Sequence, residues 1–203
     1  MAEVLSHCKV PSHARAAVQE EYRHAIRRYQ DVSELHTALN AAARGHSGRM
    51  LAVEHLLHLP RERLRDWLPV TDMIFAGEPV DVLLMGIVSP LAKDEKRFRP
   101  VTLLEPIYKC VCMTIMGRIM VILFRHRLLN PAQFGFNIDG STIEPILIFN
   151  LMYEHALQSD SPAFHALLDS TCAFDTLLQI CIDPSLRRLG APEEVITVVR
   201  AFM

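Results

Sequence analysis

Two short apolar runs, residues 80–88 and 163–168, constrain the fold most, because they are the only strand candidates in an otherwise helical pattern. The first run is rich in branched aliphatic residues and is closed by Ser89-Pro90. The second run ends abruptly at a carboxylate, Asp169. The order of helices, strand, helices, strand and helices predicts a helix-rich α+β fold whose sheet is incomplete on its own.

Helical spacing is clear in several other segments. An apolar stripe from Ala14 to Tyr29 predicts an amphipathic helix that Ser12 can cap. Residues 40–49 are predicted to form a loop, and helices are predicted at about residues 50–57, 106–124, 143–157 and 177–189. Gly190 stands where a helix usually ends, and Pro192 begins the last predicted helix.

The amino-acid composition favours a folded intracellular protein. The chain has 203 residues, of which 50% are hydrophobic and 22% charged, so we expect a packed core. The most apolar segment, residues 110–124, contains Arg118 and is short for a membrane span. The five cysteines are irregularly spaced, as expected for buried free thiols. We therefore predict an intracellular protein, in the nucleus or cytoplasm and not secreted.

Four groups of short motifs occur along the chain in a particular order. They are, in sequence letters, PLAK at 90–93 with RFRPVTLL at 97–104, RIM at 118–120, PAQFGF at 131–136 with GST at 140–142, and LDSTCAFD at 168–175 with LRRLGAP at 186–192. In this order and at these distances the motifs resemble the reverse transcriptases of non-LTR (LINE-type) retrotransposons. The resemblance covers residues 48–203, which we expect to form the main domain after an N-terminal helical segment at residues 1–47.

The resemblance implies an RNA-directed DNA polymerase, a nucleotidyltransferase in which two Mg²⁺ ions stabilise the attacking and leaving oxygens. Asp169 matches the catalytic carboxylate that binds both metals, and Ser170 matches the residue whose carbonyl faces a metal. Phe174 matches the steric gate against the nucleotide sugar. Lys93 and Arg99 match the basic pair that grips the triphosphate.

Gln133, Phe134 and Gly135 match the segment that contacts the template. The implied partners are an RNA template, a DNA primer and a deoxynucleoside triphosphate, with no membrane. The implied fold is a partial right-hand polymerase, comprising the fingers and the first palm strand.

The paired aspartates of such enzymes have no counterpart, since no two aspartates are adjacent in the chain. One carboxylate cannot hold two metal ions, so we expect no polymerase activity from this chain by itself. The chain is expected to be truncated before the paired-aspartate hairpin. Without that hairpin the predicted strand at 163–168 has an uncovered edge, which favours self-association.

Other hypotheses remain open at this level. The chain could be a non-catalytic retroelement relic that binds RNA or protein, or a helical interaction protein without a site. A carboxylate after an apolar strand also begins the haloacid-dehalogenase phosphatase pattern, although Thr171 stands where that pattern has a second aspartate. Asp169 could also simply cap a turn.

Overall fold

The computed structural model describes residues 9–44, 51–78, 80–84, 87–92, 98–103, 105–137, 140–169 and 179–202. Within these residues the α-helices, in chain order, are α1 (Arg15–Ala25), α2 (Val32–Arg44), α3 (Leu51–Leu57), α4 (Arg61–Arg65), α5 (Leu68–Phe75), α6 (Asp81–Leu84), α7 (Pro106–Arg125), α8 (Ile143–Gln158), α9 (Ile182–Arg188) and α10 (Glu193–Arg200). Two strands, β1 (Ile87–Ala92) and β2 (Phe98–Leu103), lie between α6 and α7. Short 3₁₀ turns at Ser12–Ala14 and Gln179–Cys181 precede α1 and α9.

The predicted stripe of the first helix is largely confirmed. Val18 and Tyr22 are fully buried, and Ala25 and Tyr29 are nearly so. The predicted cap is wrong, because Ser12 lies inside the 3₁₀ turn and no side chain caps that turn. The helix ends at Ala25, so Tyr29 is buried but lies beyond the helix that was predicted to include it. Apolar residues at every third or fourth position thus define the buried face without fixing where the helix begins or ends.

Helix α2 begins at a capping motif that the sequence carries as Asp31 followed three residues later by Glu34. Asp31 Oδ1 accepts hydrogen bonds from the backbone N–H groups of Ser33 at 2.7 Å and Glu34 at 3.0 Å. Glu34 Oε2 accepts the backbone N–H of Gln30 at 2.8 Å. These bonds satisfy donors that a helix start leaves open. The helix continues to Arg44, so the loop predicted from residue 40 is wrong over its first half, and residues 45–50 lie outside the described residues.

Strands β1 and β2 form an antiparallel hairpin in which Pro90 faces Pro100. Because proline has no N–H, this pair fits a position where neighbouring strands exchange no hydrogen bonds and the backbone groups point outward. The outer edges of both strands therefore lack one N–H donor each, which disfavours pairing with a further strand. The hairpin is the only sheet in the described part of the chain.

The predicted α+β polymerase fold is wrong. Helix makes up 64% of the described part of the chain, and the two-stranded hairpin found there is too small to form the sheet of a palm. Residues 163–168, predicted as the first palm strand, have no regular secondary structure and lie exposed. The run predicted as a strand at 80–88 instead begins with α6, and β1 starts only at Ile87.

The chain divides into two compact units, unit 1 at residues 1–18 and 120–190 and unit 2 at residues 19–119 and 191–203. Unit 2 contains most of the buried apolar side chains, which include Tyr22, Leu35, Leu39, Leu64, Ile74, Ile107, Val111, Ile115, Val195 and Ile196. In unit 1 the described buried apolar side chains are fewer: Val10, Val18, Ile122, Leu123 and Leu128. The domain boundary predicted at residues 47 and 48 lies outside the described residues.

Helix α7 follows the sequence prediction closely, running from Pro106 to Arg125. It is long enough and apolar enough, with a mean hydropathy of 1.8, to resemble a membrane span, and 44% of that window is buried inside the protein. Arg118 interrupts the apolar run, and its Nη1 donates to the carbonyl oxygens of Ala25 and Arg27. This cation thus satisfies backbone acceptors at the end of α1, which favours a helix packed within the protein.

Candidate functional site

Asp169, the predicted catalytic and metal-binding carboxylate, lies in an exposed irregular segment. The neighbouring apolar side chains Phe164, Leu167 and Leu168 are 91–95% exposed, so Asp169 does not follow a buried strand. No cluster of three or more histidine, cysteine, aspartate or glutamate side chains suited to a metal ion occurs among the described residues. Ser170 and Phe174 lie outside those residues. Among the described residues, Asp169 is therefore not part of such a cluster.

Of the predicted triphosphate-binding pair, Arg99 lies in the hairpin and only its backbone pairing is described. Ala92, the last residue of β1, pairs with Phe98, and Arg99 pairs with Leu91. Lys93 directly follows Ala92 in sequence but lies outside the described residues. The basic residues of the segment 93–99 are therefore attached to two paired strands that end together, which limits how far apart the two attachment points can be.

The predicted template-binding residues lie in a compact turn between α7 and α8. Gln133 N donates to Asn130 O at 2.9 Å, and Gln133 Nε2 donates to Gly135 O at 2.9 Å. Asn137 Nδ2 donates to Gln133 O at 3.3 Å. Phe134 is half-buried. The Gln133 side chain thus uses one of its two amide donors to hold the turn, and the turn is shaped by its own polar groups.

Phe136 is the aromatic residue of this turn that the sequence reasoning passed over. Its ring is 87% exposed, and its φ of 58° places it in the left-handed region that non-glycine residues seldom adopt. Exposed aromatic rings can stack on nucleic-acid bases. The unusual backbone angle depends on the turn as a whole and has no signal in the local sequence.

The candidates are divided between the two units. Asp169 and the turn containing Gln133, Phe134 and Gly135 belong to unit 1, whereas Arg99 belongs to unit 2. A single polymerase site combining all the predicted residues is therefore not assembled within either unit.

A partly buried polar network in unit 2 was not foreseen from the sequence. Thr114 Oγ1 donates to Cys110 O at 2.9 Å, so its single hydroxyl proton is used and Tyr29 O–H donates to it at 2.9 Å. Cys110 Sγ lies 3.7 Å from the Tyr29 oxygen and can donate its thiol proton. The Tyr29 ring also contacts Phe75 edge-on, with ring centroids 5.0 Å apart. This closed set of bonds joins the segment after α1 to α7.

The cysteines of α7, Cys110 and Cys112, are free thiols. Burial raises the pKa of Cys112 to about 12, and burial also raises the pKa of Cys110, although the hydrogen bond between Cys110 and Tyr29 opposes that rise. Both groups are therefore protonated at neutral pH, and the reactive species of a cysteine is the thiolate. The expectation of buried free thiols is confirmed at Cys110, whereas Cys112 is only half-buried and Cys181 is free but exposed, so the prediction of burial is wrong for Cys181.

No protein-family model, curated protein or solved structure matches this chain.

Proposed function

We propose that this chain is a piece of a retroelement reverse transcriptase that has no polymerase activity by itself and that binds RNA. The ordered motifs support the family, and the position of Arg99 is the structural observation that supports the nucleotide-binding assignment. Arg99 lies one residue into β2, and β1 ends at Ala92, the residue that precedes Lys93 in the sequence. Cationic side chains suit the binding of phosphate groups. Mg²⁺ is proposed as a cofactor of the full-length enzyme, held at Asp169 and Ser170.

A second candidate function is a non-catalytic relic that serves as an RNA- or protein-binding module. The exposure of Asp169 favours it, because a carboxylate in water on an irregular segment is not held in place for metal binding. The absence of a suitable ligand cluster among the described residues points the same way. The exposed ring of Phe136 supports RNA as the partner of such a module.

Primer extension tests the absence of polymerase activity. Purified chain, an RNA template, a DNA primer, deoxynucleoside triphosphates and Mg²⁺ or Mn²⁺ are expected to give no extended product. The Asp169→Ala variant is the matched control and should behave identically. Extension by the wild-type chain that Asp169→Ala abolishes would refute the proposal that the chain is inactive.

RNA binding tests the other half of the proposal. Fluorescence anisotropy with a labelled single-stranded RNA is expected to give an affinity that falls as salt rises, since phosphate contacts release counterions. Replacing both Lys93 and Arg99 with alanine should weaken binding and flatten the salt dependence by about 0.7 per lost phosphate contact. If the chain does not bind RNA, or if its affinity for RNA does not change with salt concentration, the assignment of RNA as the partner is contradicted.

We also propose that the chain self-associates, through exposed apolar side chains rather than through a sheet edge. Helix α8 exposes Ile146, Ile148, Phe149, Leu151 and Met152, each by more than 40%. A single helix with so much exposed apolar surface favours association.

Light scattering should therefore report a mass above that of one chain, which is 23.0 kDa. The double variant Ile148→Glu/Met152→Glu should lower that mass. The matched control Asn150→Glu/Gln158→Glu adds the same charge at polar positions of α8 and should not. A monodisperse wild-type monomer is the opposite result.

A further inference from the structure

A cationic cleft at the start of α1 lies apart from every residue implicated above. It is an open surface cleft of about 570 Å³ in unit 1, lined by Lys9, Val10, Pro11, Ser12 and Arg15. Of these residues Val10 is buried, whereas Lys9, Ser12 and Arg15 are exposed. Two cations and a hydroxyl group therefore line one concave surface.

Neither cation is paired with a described carboxylate. Among the described residues, no carboxylate lies within ion-pairing distance of Lys9 or Arg15. The first turn of α1 contains no acidic residue. Like charges that share a cleft repel one another, and an anion bound between them relieves that repulsion.

A second group of basic residues lies close in sequence to a residue that packs against Val10. A Cβ atom on Gly190 would lie 2.6 Å from Val10 Cγ2, so the backbone at Gly190 packs directly against Val10. Gly190 comes just after α9, whose last turn carries Arg187 and Arg188. Because Gly190 packs against Val10, the basic last turn of α9 lies near the segment that contains Lys9.

We propose that this cleft binds the phosphate backbone of single-stranded RNA, with Lys9 and Arg15 as the contacting cations and the Ser12 hydroxyl as a further donor. Lysine and arginine both form charge-assisted hydrogen bonds to phosphate oxygens. The open shape favours a passing strand, because small ligands are usually enclosed over most of their surface. The inference rests on the proposed RNA-binding function and names a second contact surface for it.

Anisotropy with single-stranded RNA at several salt concentrations tests the cleft in the full chain. Lys9→Ala/Arg15→Ala should reduce the slope of log affinity against log salt by about 1.4, which is about 25-fold in affinity at 0.1 M salt if the two proteins converge at 1 M. The control Arg61→Ala/Arg65→Ala removes the same charge from exposed positions of α4 and should change the affinity less than threefold. Arg15→Lys should retain most of the affinity, since it keeps the charge.

The outcomes separate the cleft from the proposed function. If the wild type binds RNA and the Lys9/Arg15 variant binds equally well, the cleft assignment is overturned while RNA binding stands. If the wild type does not bind RNA, the proposed function itself fails. Saturation by inorganic phosphate alone at micromolar concentration, or equal affinity for polyglutamate, would also overturn the RNA assignment. Unchanged thermal melting of the variants establishes that they are folded.

Discussion

Replacing Gly190 with alanine is expected to destabilise the protein by about 2–5 kcal/mol. The φ of Gly190 is 86°, and a left-handed conformation costs an L-residue about 1–2 kcal/mol. The added Cβ would also lie 2.6 Å from Val10 Cγ2 and 3.3 Å from Val10 Cβ. Overpacking of this kind usually costs a further 1–3 kcal/mol. The loss is large beside the roughly 5–15 kcal/mol that stabilises an ordinary domain.

Urea denaturation followed by circular dichroism measures this change as a lower midpoint. Gly117→Ala is the matched control, because Gly117 lies within α7 and a Cβ there meets no atom within 4 Å. That control should stabilise the protein by about 0.5–1 kcal/mol, the usual gain from glycine to alanine in a helix. In the double variant Val10→Ala/Gly190→Ala the clash is removed, so the combined loss should be smaller than the sum of the single losses. An unchanged midpoint for Gly190→Ala would show that Val10 does not pack there.

The second large effect is expected at the partly buried network of Tyr29, Cys110 and Thr114. Tyr29→Phe keeps the edge-on contact with Phe75 but removes a hydroxyl that bonds Thr114 at 2.9 Å. Thr114→Val removes the other partner and leaves the Tyr29 hydroxyl without its acceptor. Each single change should cost about 1–3 kcal/mol, because a buried polar group left unpaired loses its hydrogen bond without regaining water.

A double-mutant cycle by urea denaturation tests this network. Since removing both partners leaves fewer unpaired groups, the double variant should lose less than the sum of the two single variants, by about 0.5–3 kcal/mol. Tyr153→Phe is the control at an exposed tyrosine of α8 and should stay within about 0.5 kcal/mol of wild type. Strict additivity would mean that Tyr29 and Thr114 are not coupled.

Several helices could be predicted because their signals are local. Proline at residue 106, the apolar stripe through Val18 and Tyr22, and glycine at residue 190 each act within a few residues, and the structure places the elements accordingly. The strands could not be predicted in the same way. An apolar run of six to nine residues fits a strand or a short helix equally well, and a neighbouring chain segment decides between them. Residues 87–92 pair with residues 98–103, whereas residues 163–168 lie exposed without regular structure.

The same distinction between local and long-range signals applies to the candidate site residues. Residue types and their order can be read from the chain: a cationic segment at 93–99, the Gln133 turn, a carboxylate at Asp169, and the lack of paired aspartates. The exposure of Asp169, the bond by which Gln133 holds its own turn, and the cleft shared by Lys9 and Arg15 became visible in the folded protein. Burial, hydrogen bonding and shared charge depend on contacts between segments, whereas helix starts and ends depend on neighbouring residues.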